Sequence, residues 1–93
     1  MKLRVVTTVK FNRDLRNLLK CGFKDIRKLD KVVEMIANGE KLSYRYKDHL
    51  LKGNYAGFRE CHIEPDWLLI YKIERQYLIL TLVRTGQHSN LFK

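Results

Sequence analysis

Proline is nearly absent from this sequence, and glycine is sparse: one and five among 93 residues. Such a chain has no room for a Pro/Gly/Ser linker, a low-complexity tract or a collagen-like repeat. No internal repeat is visible either. A single domain spanning residues 1–93 is therefore expected. Cysteine is also scarce. Cys21 and Cys61 stand far apart and form no Cys-x-x-Cys pair, which argues against a structural zinc site and favours free thiols in a reducing compartment. No apolar run approaches the roughly 20 residues that a membrane-spanning helix needs. The start, Met1-Lys2-Leu3-Arg4-Val5-Val6, has neither the long apolar stretch nor the small-residue cleavage site of a secretory signal. The reading is a cytoplasmic protein that does not use membranes.

Acidic residues are the scarce charge. Ten Asp and Glu face nineteen Lys and Arg, a net charge of +9. A compact domain this basic is suited to a polyanion, although excess charge also serves solubility. The imbalance is uneven: residues 1–46 hold 12 basic and 5 acidic residues, against 7 and 5 in residues 47–93. The first half looks like an electrostatic handle, and the second half holds the unusual polar groups.

Hydrophobic residues make up 45% of the chain, enough for a modest core. Leu3 to Val6 suits a short strand. Thr7 or Thr8 can cap a helix whose stripe is Phe11, Leu15, Leu18 and Leu19, ending at Cys21-Gly22. A second helix is expected from about Asp25 to Asn38, with Ile26, Leu29, Val32, Val33 and Ile36 inward and Gly39 just past its end. The short link between them predicts a helical hairpin. Residues 40–57 read as a polar loop. Strands are predicted over about Phe58–Ile63, Trp67–Ile73 and Tyr77–Arg84, and the last two, apolar on both faces, are expected to be central. The order β-α-α-β-β-β predicts an α+β fold with both helices on a largely antiparallel sheet.

All three histidines, His49, His62 and His88, lie in the second half, together with Asp66 and Arg84. Histidine titrates near neutrality and can act as general base or general acid. RNA carries its own nucleophile, the 2′-OH. A base takes its proton, the oxygen attacks the adjacent phosphorus, and an acid protonates the departing 5′-oxygen. An arginine stabilises the charge that builds on the phosphoryl oxygens. This chemistry asks for no metal and no cofactor. Zinc is the main rival use of three histidines, but their spacings place no two of them on one element. Each histidine alone reads more readily as a hydrogen-bonded surface residue than as a catalyst. Trp67, Tyr71, Tyr77 and Phe92 are candidates to stack on bases, with core packing the competing reading, favoured for Tyr71 and, less firmly, for Trp67. Gly86 suits a sharp turn that returns the tail to the sheet.

Three segments carry a resemblance. They are Tyr46-Lys47-Asp48-His49-Leu50-Leu51-Lys52-Gly53, Arg59-Glu60-Cys61-His62-Ile63-Glu64-Pro65-Asp66-Trp67, and Arg84-Thr85-Gly86-Gln87-His88-Ser89-Asn90-Leu91-Phe92. Together they are similar to the YafQ-like branch of the RelE/ParE toxin superfamily. The resemblance implies a type II toxin that enters the ribosomal A site and cuts mRNA. It also implies a cognate antitoxin, through which the pair meets operator DNA. By that likeness His49, His62, Asp66, Arg84 and His88 are catalytic. His88 would be the acid, and Asp66 or His49 the base. Arg84 and His62 would hold the phosphate, and Phe92 the base of the mRNA. Trp67, Lys47 and Lys52 are further RNA-binding candidates. Lys10, Arg13, Lys20, Arg27, Lys28 and Lys31 are candidates for ribosome or antitoxin contact. A different class of function, a gyrase-directed toxin that binds protein without catalysis, would keep the fold but have no need of the histidines. A third, an inert basic nucleic-acid-binding module, would leave them unused too.

Overall fold

The protein was analysed as a computed structural model, which describes residues 2–22 and 25–91. Its elements are β1 (Arg4–Thr7), α1 (Val9–Cys21), α2 (Ile26–Ala37), β2 (His49–Leu50), β3 (Arg59–Glu64), β4 (Trp67–Glu74), β5 (Ile79–Gly86) and α3 (His88–Leu91). The strands form one five-stranded sheet in the order β1-β5-β4-β3-β2. All pairs are antiparallel except β1 with β5. The expected α+β class and largely antiparallel sheet are what the structure has.

Local chemistry sets the helix ends. Thr8 caps α1 through its hydroxyl, which accepts the Phe11 N–H at 3.0 Å, and Gly22 closes it at φ 70. Asp25 caps α2 by accepting the Arg27 N–H at 3.0 Å. Such caps satisfy N–H groups that have no partner inside the helix. Two sequence expectations shift. The 40–57 segment is not all loop: it holds the two-residue strand β2 and tight 3-10 turns at Tyr44–Tyr46 and Gly53–Tyr55. The last strand begins at Ile79, not Tyr77, because Leu78 is held left-handed at φ 53 after a turn over Arg75–Tyr77.

β4 is central and buried on both faces. Trp67, Leu69 and Tyr71 join Cys61, Ile63, Leu80, Leu82 and the apolar sides of the helices in the main core. Leu68 and Ile70 face the other way and meet Leu91 of α3, with Leu51, Tyr55, Phe58 and Val83 around them. This second, smaller core lies on the face that carries the candidate site residues.

Cys61 is fully buried, and burial pushes its thiol well above the ordinary value of 9.0; Tyr71 is pushed up by burial and by its hydrogen bond to Asp48. Both groups keep their protons more tightly folded than unfolded. The stability they contribute is complete below their ordinary values and is lost as pH rises through the raised ones. Cys21, by contrast, is exposed. A thiol reagent at neutral pH is expected to label Cys21 fast and Cys61 only on unfolding, and the melting temperature is expected to fall above about pH 9. Two fast thiols in the native protein would contradict this packing.

Candidate active site

Register brings distant residues into line. His49 pairs with Glu60, Glu60 with Ile70, and Ile70 with Arg84, so these four form one row across β2, β3, β4 and β5. Directly paired residues share a face, so His49, Glu60 and Arg84 lie on the face of the smaller core. His62, two residues from Glu60, is on that face as well, paired with Leu68, which pairs in turn with Gly86. Arg84 reaches this row through an irregularity. Pairing slips between Ile70 and Tyr71, which oppose Arg84 and Leu82, leaving Val83 as the extra residue. Strict alternation from Leu82 would have turned Arg84 toward the helices.

The carboxyl group of Glu60 is the centre of one cluster. It is 5% exposed, and one oxygen lies 3.8 Å from His49 Nε2 and 3.5 Å from His62 Nε2. The other ring nitrogens meet backbone carbonyls: His49 Nδ1 lies 2.7 Å from Lys47 O, and His62 Nδ1 lies 3.2 Å from Pro65 O. A carbonyl only accepts, so each Nδ1 carries a hydrogen and each Nε2 is the atom left to take or give a proton. Glu60 faces both of those atoms. Among the described residues no group of three or more His, Cys, Asp or Glu converges as a metal site would require. Two imidazole Nε2 atoms beside one buried carboxyl can exchange protons with a bound substrate.

The loop that carries His49 is pinned by Asp48. Arg59 donates two hydrogen bonds to it, at 3.2 and 3.1 Å, and the Tyr71 hydroxyl donates a third. That carboxylate raises the Arg59 guanidinium above its ordinary value.

Arg84 is held from the other side. β1 pairs with β5 as far as Leu82; beyond it the Thr8 hydroxyl donates to Val83 O at 2.8 Å, and α1, which Thr8 caps, meets Arg84. There it makes a two-point ion pair with Asp14, at 2.6 and 3.1 Å, and Asp14 also accepts the Thr85 N–H at 3.2 Å. Asp14 raises the guanidinium above its ordinary value, with smaller help from Tyr55. Asp14 takes the Nε and Nη2 edge, so the guanidinium plane is held in one orientation.

Asp66 occupies the β3–β4 turn and lines a groove with Arg13, Arg84, Gly86 and Gln87. His88 opens α3 and is exposed. Gly86, at φ 150, turns the chain there and lies beneath the Leu91 side chain, which docks α3 onto Leu68 and Ile70. Phe92 lies outside the described residues. Lys47 and Lys52 are exposed and flank β2.

Trp67 does not fit the RNA-stacking role. It is fully buried on the helix face, and its indole N–H donates to Thr85 Oγ1 at 2.9 Å. Burial in the core leaves neither ring face for a base. Of the basic helix residues, Lys10, Arg13, Lys20 and Lys31 are exposed. Arg27 is also paired with Asp25, and Lys28 with Glu64, at 3.1 and 2.6 Å. The site residues that sequence reasoning missed are Glu60 and Asp14. Period two along β3 already put Glu60 on the His62 face, but nothing local marked Asp14.

A basic α+β domain with histidines and a carboxylate in register with a braced arginine holds the groups that a small RNA-directed toxin would need, and likeness to known proteins points the same way. Residues 3–93 match the family described as the bacterial toxin of type II toxin-antitoxin systems, YafQ. The mRNA interferase toxin YafQ of Escherichia coli K12 is 39% identical over 83 residues, 88% of this chain and 87% of that protein. A metal-bound toxin from Helicobacter pylori superimposes with a TM-score of 0.89 at 49% identity, covering 99% of this chain and all of that one. The toxin in the E. coli DinJ–YafQ toxin-antitoxin complex gives 0.86 at 34% identity, with both chains covered in full. The chain belongs to the YafQ family of toxins.

Proposed function

We propose that this chain is an endoribonuclease that stops translation by cutting mRNA in the ribosomal A site, and that a cognate antitoxin restrains it. The observation that carries this reading is the buried Glu60 carboxyl facing His49 Nε2 and His62 Nε2, in the same register row as Arg84. A binding toxin has no use for two imidazoles poised on one buried acid. RNA cleavage through the 2′-OH does. One imidazole takes the 2′-OH proton as the oxygen attacks phosphorus, and a protonated group returns a proton to the leaving 5′-oxygen. The products are a 2′,3′-cyclic phosphate and a free 5′-hydroxyl. Proton transfer of this kind supplies about 10²–10⁴-fold.

His49 is the base in this scheme, with Glu60 holding the charge it gains. His62 and Arg84 face the phosphoryl oxygens. His88, on α3 at the end of β5, is the acid. Asp66, in the turn beside that end of the sheet, orients it. Lys52 contacts the mRNA, and Phe92, by the family resemblance, holds its base. The exposed cations of α1 and α2 dock on ribosomal RNA or on the antitoxin, and operator DNA is met only through the antitoxin. The E. coli homologue is found in complex with DinJ, which supports a protein antitoxin here. None of the helices described is long and apolar enough to cross a membrane, and translating ribosomes place the site of action in the cytoplasm.

The test is mapping of mRNA 5′ ends after brief expression in a bacterial host. Cuts are expected at a fixed position within codons, in translated frames alone, and absent with His88→Ala. Growth arrest without such cuts would move the reading to a protein-binding toxin directed at gyrase.

A further inference from the structure

Tyr44 is 95% exposed, an unusual position for a large aromatic ring. Its backbone is nevertheless fixed. The Tyr46 N–H donates to Ser43 O and the Lys47 N–H to Tyr44 O, at 3.0 and 3.1 Å, closing the turn. Tyr46 is buried in the main core, with the Arg45 guanidinium 4.7 Å above its ring. One tyrosine anchors the turn, and the other is held out in water.

A lone exposed aromatic needs no explanation by itself. Its surroundings set this one apart. Tyr44 lines a groove with Lys41, Lys47 and His49. Lys47 also lines the cleft on the far side of the turn, which reaches His62. Lys47 stands at φ 50, a left-handed conformation that glycine or asparagine adopts more easily, yet the position holds a long cation at the junction of both clefts. Asp48 lines the Tyr44 groove too, but Arg59 and Tyr71 engage it. Among the described residues no ion pair engages Lys41 or Lys47.

We propose that Tyr44, Lys41 and Lys47 form a nucleotide subsite for single-stranded RNA, in which the base next to the scissile bond stacks on Tyr44 and its phosphates meet the two lysines. An open ring face beside unpaired cations is what an unpaired nucleotide needs, whereas a duplex hides its base faces. The inference rests on the ribonuclease reading, because it places the strand on a path through His49.

The test uses the full chain and a short fluorescent RNA oligonucleotide with 2′-O-methyl groups, which lacks the attacking hydroxyl and so is bound without being cut. Tyr44→Ala is expected to raise Kd about 5- to 100-fold, and Tyr44→Trp to restore it. The dependence of log K on log salt should be unchanged by Tyr44→Ala and become shallower by about 0.7 with Lys47→Gln. Unchanged affinity in Tyr44→Ala overturns the subsite while leaving the nuclease reading intact, provided that the wild type cuts mRNA in a translating extract. No cutting there overturns the nuclease reading itself. If Tyr44→Ala instead weakens the antitoxin complex and spares RNA affinity, the surface belongs to the antitoxin and the proposal fails.

Discussion

Glu60→Gln is expected to lower mRNA cleavage about 100-fold or more while leaving the protein folded and nearly as stable as the wild type. The substitution keeps the shape of the side chain and removes its charge. The two Nε2 atoms, at 3.8 and 3.5 Å, then face an amide that cannot hold the charge an imidazole gains with a proton. Removing one member of a buried ion pair usually destabilises, because the other is stranded as a charge. That argument is weak here. The His49 side chain is 50% exposed, so water solvates its ring whether or not residue 60 carries a charge. Stability should stay within about 1 kcal/mol of wild type. The loss should appear in kcat and not in KM, and Glu60→Asp should recover part of it. Wild-type cleavage in Glu60→Gln would remove Glu60 from the mechanism. A collapse of the melting temperature in step with activity would make its role structural.

Trp67→Ala should do the reverse. Trp67 is among the largest side chains fully buried in the protein. Truncating it removes the indole from the helix face of β4 and leaves Thr85 Oγ1 without the N–H it accepts at 2.9 Å. Large-to-small changes of this kind cost about 3–5 kcal/mol. For a domain of this size that is a fall in melting temperature on the order of 15–25 °C. Trp67→Phe, which keeps most of the volume and loses the hydrogen bond, should lose far less, about 1–2 kcal/mol. In both variants activity should follow the folded fraction, with RNA affinity of the folded protein unchanged. Weak RNA binding by a stable Trp67→Phe protein would return the indole to the RNA surface.

The contrast between these residues shows where sequence reading succeeds. Trp67 is aromatic and is carried by a motif that resembles an active-site segment, and those two features pointed it toward RNA while core packing stood as the competing reading. Period two along β4 was the better guide. Trp67, Leu69 and Tyr71 alternate with Leu68 and Ile70, and one set had to face the helices. His62 and Glu60 obey the same rule on β3, yet an acidic strand residue attracts little notice until its burial is known. The helices were legible because their caps and stripes are local: Thr8, Asp25 and the Phe11 and Leu29 faces all act within a few residues. The short strand β2 was not legible, because two residues carry no period. It exists because His49 and Leu50 find partners in Glu60 and Arg59.

The amino-acid order by itself determined the two amphipathic helices, the central apolar strands, the excess of positive charge and the stock of histidine, aspartate and arginine. Each follows from interactions between neighbours in the chain or from composition. Tertiary structure decided which of those groups meet. The Arg84–Asp14 pair spans 70 residues, and the Tyr71–Asp48 bond spans 23. The slip at Val83 that turns Arg84 to the site face depends on how β4 and β5 pair. Such contacts form only when separate strands settle into register under the shared burial of two cores. Register is a property of pairs of segments, and no single segment encodes it.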